Sequence, residues 1–202
     1  MTGFEVRQHG IDSSGRAILA SDFLWDVWES AVADMGFRPV ITQGSWMSRV
    51  PGGGAENSEG FHDGGGPFDL RTWDRTPAER LKMVRVLRLH GCAAYRRFKS
   101  QGMDEDHLHF MCGADHGLTD PAARQWQSYV NGRDGLAGNG PDYEWRPSPL
   151  VLIPPEVETV TPEEIEATAK RAAELVLSAK VGKDDTTLKQ AINQILTRVE
   201  RL

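Results

Sequence analysis

One stretch limits what this chain can build more than any other. Residues 58–71, SEGFHDGGGPFDLR, hold one histidine and four glycines and close on Asp69 between apolar neighbours. Three consecutive glycines disfavour the interior of a helix or a strand, so the whole region 43–66 reads as an irregular connection. Directly after it, PFDLRTW (67–73) alternates. Phe68, Leu70 and Thr72 point one way and Asp69 and Arg71 the other, which is the period of a half-buried strand. A phosphate loop, a flexible turn and one half of a metal site all suit such a segment. Neither G-x-x-x-x-G-K-[ST] nor a G-x-G-x-x-G after a strand is present, which disfavours the phosphate loop. A metal site needs a second half elsewhere.

The rest of the chain sorts into short elements. SDFLWDVWESAVADM (21–35) carries Phe23, Leu24, Val27, Trp28, Ala31, Val32 and Met35 at helical spacing, with Ser21 or Asp22 as cap and Gly36 as stop. FRPVIT (37–42) reads as a strand. RTPAERLKMVRVLRLHG is the clearest helix: Thr76 caps, Pro77 takes the first position and Glu79 completes a capping box. Leu81, Val84 and Leu87, with Met83 and Val86, form its expected buried stripe, and Gly91 ends it. AAYRRF (93–98) and HLHFMC (107–112) read as an antiparallel strand pair. DPAARQWQSYVNG reads as a helix with Asp120 as cap and Gly132 as stop.

From Pro141 the composition changes: 141–162 holds six prolines and reads as extended chain, with a linker over 148–160. Two helices are expected in a tail, 161–202, the first capped by Thr161, Pro162 and Glu164. In the second, Leu188, Ile192, Ile195, Val199 and Leu202 make a short heptad seam. Folding back onto the chain and self-association through 186–202 are both open to it.

Bulk properties narrow the class. The chain has 202 residues and a formal charge of -6, against the basic surface of a dedicated nucleic-acid binder. No apolar run approaches a membrane span, and the first residues lack a hydrophobic signal region, so synthesis in a cytoplasm is expected. Two cysteines, Cys92 and Cys112, make no disulfide framework, and both are expected to be buried thiols.

The second half of a metal site is DEDHLHF, 104–110. On a strand, His107 and His109 share a face. His62, Asp69 and His109 then form a three-residue nitrogen and oxygen ligand set, which leaves zinc a fourth position for water. Such a site lowers the pKa of the water and polarises a carbonyl. Asp106, three residues before His109, is the candidate to take the proton. His107 is placed to stabilise a developing oxyanion. Gly64, Gly65 and Gly66 are expected to turn the backbone between ligands and leave room for substrate.

These two segments carry a resemblance. SEGFHDGGGPFDL resembles the Ser-x-x-x-His-x-x-Gly-x-x-x-Asp segment of the zinc D-alanyl-D-alanine carboxypeptidase-like peptidases, and DHLHF resembles their Asp-His-x-His segment. That superfamily includes VanY-type carboxypeptidases, L-alanyl-D-glutamate endopeptidases and bacteriophage endolysins. RQWQSYVNGRDGLAGNGPDYEWRP (124–147) and ITQGSW (41–46) are similar to segments of actinobacteriophage endolysins, so the resemblance spans roughly residues 20–147.

The resemblance implies an α+β fold, a small antiparallel sheet with flanking helices of the hedgehog/DD-peptidase type, in a domain over 1–147. It implies zinc on His62, Asp69 and His109, Asp106 as base and His107 as the extra active-site histidine. Where relatives carry an SGYRS-like arginine segment, this chain has TQGSWMSR. Gln43, Ser45 and Arg49 are therefore the expected substrate-binding residues, with Ser58 orienting the site.

The expected activity is zinc-dependent hydrolysis of peptidoglycan stem peptides by a phage endolysin. The protein would wait in the host cytoplasm and then reach the wall, with no nucleic-acid partner and no membrane insertion. Two alternatives stand beside it: a non-catalytic zinc-holding module, with His107 as fourth ligand, and a tail-associated virion peptidase.

Overall fold

A computed structural model of the chain describes residues 4–53 and 60–152. They belong to a compact unit that runs Met1–Pro155. Ser58, the linker beyond residue 152 and the expected tail helices with their heptad seam lie outside the described residues.

The described architecture is α+β. A four-stranded antiparallel sheet has the order β3-β4-β6-β5, beside a separate hairpin of β1 and β2. The hairpin, β1 (Val6–Ile11) and β2 (Ala17–Ser21), has no counterpart among the sequence expectations. Its turn is held by the buried Asp12. Oδ1 accepts the backbone N–H groups of Ser14 and Arg16 at 2.8 and 3.0 Å, and Oδ2 takes the Arg16 guanidinium at 2.8 Å.

Helix α1 (Asp22–Met35) starts where expected: Ser21 Oγ accepts the Leu24 N–H at 2.9 Å, and Gly36 closes the helix with φ 73°. The strand expected over 37–42 is realised as β3, Ile41–Gln43. Pro39 has no N–H to give a ladder, so pairing starts only beyond it. Strand β4 (Pro67–Arg71) follows the glycine-rich loop. Helix α2 (Pro77–Leu89) has the full capping box on Thr76 and Glu79. Its buried face is Met83, Val84, Val86, Leu87 and Arg88. Leu81 is 41% exposed, which corrects its place in the stripe. At 3.6 residues per turn it lies roughly 120° around the helix from Leu87. Strands β5 (Ala93–Arg97) and β6 (His107–Met111) pair antiparallel as expected. Helix α3 (Asp120–Val130) is capped by Thr119, not Asp120: Thr119 Oγ1 accepts the Ala122 N–H at 3.3 Å.

Alternation gives the sheet two unlike faces. Ile41, Phe68, Leu70, Ala94, Leu108 and Phe110 pack with Leu24 and Trp28 of α1 and Leu87 of α2 in the main core. Trp28 stacks on Phe110 with ring centroids 5.7 Å apart and meets Phe68 edge-on at 6.3 Å. Cys92 and Cys112 are buried free thiols, as expected. On the opposite face Ala93 and Tyr95 meet Tyr129 of α3, with Trp126 and Leu150 against them.

Residues 141–150 are packed chain rather than the free extended segment their prolines suggest. Arg88 is fully buried and needs a counter-charge, which Asp142 supplies at 2.8 Å. Arg88 also donates to the carbonyls of Ala94 and Trp145. Arg96 pairs with Glu144, and Leu150 packs against the smaller cluster. No helix among the described residues is long and apolar enough to cross a membrane.

Candidate metal centre

Strand register builds the polar face. Gln43 of β3 pairs with Asp69 of β4, Asp69 with His109 of β6, and His109 with Tyr95 of β5. One row of side chains thus crosses all four strands. The neighbouring row is Arg71, His107 and Arg97.

His62 joins this row from the loop. Its segment is fixed by backbone bonds, Trp46 N–H to the Gly64 carbonyl at 2.8 Å and Met47 N–H to the His62 carbonyl at 2.9 Å. The glycines let the loop pack closely as well as turn between the ligands. A Cβ on Gly64 would lie 2.2 Å from the Gly117 carbonyl oxygen, and one on Gly65 2.2 Å from that of His116. Gly66 additionally needs φ +101°.

His62, Asp69 and His109 come together as the sequence predicts. One ligand atom from each lies within 4.8 Å of the others, so the group could hold a metal ion. His62 Nε2 is 3.3 Å from Asp69 Oδ2, and His109 Nδ1 is 2.7 Å from Asp69 Oδ1. A tetrahedral site with bonds of about 2.0–2.1 Å has ligand atoms about 3.3 Å apart, which is the His62–Asp69 spacing, whereas His109 stands at hydrogen-bond distance from Asp69.

The outer ring nitrogens supply a further test of fit. His62 Nδ1 lies 2.9 Å from the Gly44 carbonyl oxygen, and His109 Nε2 lies 2.7 Å from Gln125 Oε1. With Gln125 in this amide orientation both partners are acceptors, and each outer nitrogen then donates its proton. Each inner nitrogen of a neutral ring then presents a lone pair to the Asp69 carboxylate. Acceptors facing acceptors require positive charge between them, and the donor set suits a divalent cation.

A proton on an inner nitrogen can supply the same positive charge, and the charge states follow that ion-pair form. Burial alone would push the Asp69 carboxyl up, but His62 and the hydrogen bond from His109 hold it well below the usual carboxylate range. Burial works against a charged His62, yet Asp69 outweighs it and raises its pKa. At His109 burial prevails over Asp69 and lowers the pKa.

The other expected site residues divide. His107 is outside the ligand group: Nδ1 meets the Glu105 carbonyl at 2.8 Å, and Nε2 stands 3.7 Å from Asp69 Oδ1. Asp106 precedes the first residue of β6, and its Oδ1 accepts the Lys99 N–H at 2.8 Å. Gln43 Nε2 is buried without a hydrogen-bond partner at the end of the Asp69 row. Ser45 is fully buried and donates to the Pro67 carbonyl at 2.6 Å. That bond ties the loop to β4 and removes Ser45 from the substrate-binding set. Arg49 is exposed and lies over the Trp46 ring at 4.0 Å.

Two neighbours escaped the sequence reading. Arg97 is buried in the row beside the ligands, over the Tyr95 ring at 4.4 Å, and donates to the Asp134 carbonyl at 2.8 Å. Gln125 lies on the inward face of α3 with Ala122 and Tyr129. A glutamine in an otherwise apolar 3–4 stripe was the available signal. Comparison of the chain with family models, curated proteins and solved structures gave no match.

Proposed function

We propose that this protein is a zinc-dependent peptidase of peptidoglycan stem peptides, acting as a phage endolysin of the D-alanyl-D-alanine carboxypeptidase-like type, with the hedgehog/DD-peptidase-like zinc fold. The observation that carries the reading is the His62–Asp69–His109 group, with both imidazoles tethered by their outer nitrogens and turned inward on one carboxylate. Three protein ligands and an open fourth position are the pattern of catalytic rather than structural zinc. When bound, the ion supplies Lewis acidity towards water and a peptide carbonyl.

The chain's own residues take the remaining roles. Asp106 is the proposed base; with Oδ1 engaged by Lys99, its other oxygen is the one to receive a proton. His107 borders the ligand group, and with Nδ1–H on the Glu105 carbonyl it is the proposed donor to the oxyanion through Nε2–H as the imidazolium. The unpartnered Gln43 amide is the proposed donor to a substrate carbonyl. Arg97, a buried cation in the same face, suits the carboxylates that stem peptides carry. Arg49 and Ser58 remain proposed substrate contacts, the second outside the described residues. Release from the host cytoplasm to the wall, and self-association through 186–202, belong to the same proposal.

The second reading is a non-catalytic zinc module closed by His107, favoured by the 3.7 Å approach of its Nε2 to Asp69. Incubation with soluble peptidoglycan fragments, with and without a chelator, separates the two by mass spectrometry. A chelator-sensitive product supports the peptidase and its mass names the bond. One zinc per chain without cleavage of walls from several bacteria supports the module.

A further inference from the structure

We infer that Gln125 is the positioning residue of the metal centre, selecting Nδ1 of His109 as the ligand atom. The inference rests on the reading of His62, Asp69 and His109 as a metal centre. Gln125 sits at a core position of α3, only 7% exposed, where an unpaired amide would be costly. Its Oε1 meets His109 Nε2 at 2.7 Å. Nε2 must then carry the ring proton, and Nδ1 is left with a lone pair aimed at Asp69 Oδ1, 2.7 Å away. If the amide were reversed, its NH2 would meet Nε2, the proton would move to Nδ1, and His109 would donate to Asp69 instead of binding an ion. The amide orientation therefore decides between a ligand and an internal hydrogen bond.

The surroundings restrain the stem and backbone of Gln125. Gly135, at φ +66°, lies so close that a Cβ there would come within 2.7 Å of Gln125 Cγ. The Gln125 backbone carbonyl faces the Tyr95 hydroxyl at 3.4 Å, and Tyr95 is the strand partner of His109. Gln125 and His109 are thus held from the same strand position, one by backbone and one by register.

The test uses the full chain and zinc, with affinity read by competition against a chromophoric chelator. Gln125→Leu removes the acceptor, and its zinc dissociation constant is expected to rise about 10–100-fold. Gln125→Glu keeps an acceptor and is expected to restore binding. In the zinc-loaded wild type, long-range ¹H–¹⁵N spectra should show the His109 proton on Nε2, and the cobalt-substituted absorption spectrum should change in Gln125→Leu. Unchanged zinc affinity in Gln125→Leu, no rescue by Gln125→Glu, or a His109 proton on Nδ1 would each overturn the assignment. If Gln125→Leu fails to fold, the wild-type spectrum still decides. A wild type that binds zinc no better than His62→Ala overturns the metal centre itself, and this inference with it.

Discussion

Asp69 Oδ1 and His109 Nδ1 stand 2.7 Å apart across directly paired positions of β4 and β6. The contact joins residues 40 apart in the chain, and the sheet register holds it before any ion arrives. Asp69→Ala should therefore leave the sheet folded and remove metal binding. At zinc concentrations 100 times the dissociation constant, the wild type should gain about 2.7 kcal/mol of stability. The variant should gain none. Chemical denaturation with and without zinc measures both, and an equal gain in Asp69→Ala would exclude Asp69 as a ligand.

The ligand trio was legible in the sequence because spacing carries it. Alternation sends Asp69 and His109 to the polar face of their strands, and glycines beside a histidine mark a turn between two ligands. What was not legible depends on three-dimensional neighbours. The close approach of Gly64 and Gly65 to residues 116–117 has no local signature. Ser45 looks like any loop hydroxyl until its bond to Pro67 is seen. The hairpin of β1 and β2 went unread because much of its turn is fastened by one side chain, Asp12, rather than by a turn dipeptide. The prolines from residue 141 onward signal extension, whereas the docking of Asp142 is set by Arg88 on another element.

Asp106 separates binding from chemistry. Asp106→Asn retains an Oδ1 that can accept the Lys99 N–H, so the turn before β6 should survive. Zinc content should stay at the wild-type level while turnover of stem peptides falls by about 10²–10⁴. Wild-type turnover in this variant would remove Asp106 from the base role.

Asp115 makes stability depend on pH away from the metal site. Burial raises its carboxyl above the usual range, against the Ser21 hydroxyl at 2.5 Å and the His116 N–H at 2.9 Å. The His116 imidazole and the Gly66 N–H also favour the charged form, but less than burial disfavours it. A raised folded pKa means that the folded state holds the proton more tightly. That contribution is complete below the ordinary carboxylate pKa near 3.8 and is lost as pH rises through the raised value. Asp115→Asn keeps an acceptor for Ser21 and His116 and carries no charge. Its stability relative to wild type should be highest near pH 7, where the wild-type carboxyl must be charged in the unfolded chain. That relative stability should decline as pH falls toward 3.8. Urea midpoints for both proteins across this range measure it, and a difference independent of pH would refute the account.

Arg88 and Asp142 pin the segment after α3 to the domain. Their side chains are 0% and 2% exposed, at 2.8 Å. Removing one charge of a buried pair leaves the other without compensation, so Asp142→Ala should cost about 3–5 kcal/mol. Asp142 also accepts from Arg146 at 3.0 Å, and that contact is lost as well. The double variant Arg88→Met, Asp142→Leu leaves neither buried charge of this pair and should recover part of the loss. Recovery should be partial, because the Ala94 and Trp145 carbonyls lose the donors that Arg88 gave them. Equilibrium urea denaturation of the two variants decides between an electrostatic tie and simple packing. A loss in Asp142→Ala below about 1 kcal/mol, the scale of an exposed pair, would show that the segment is held by its apolar contacts instead.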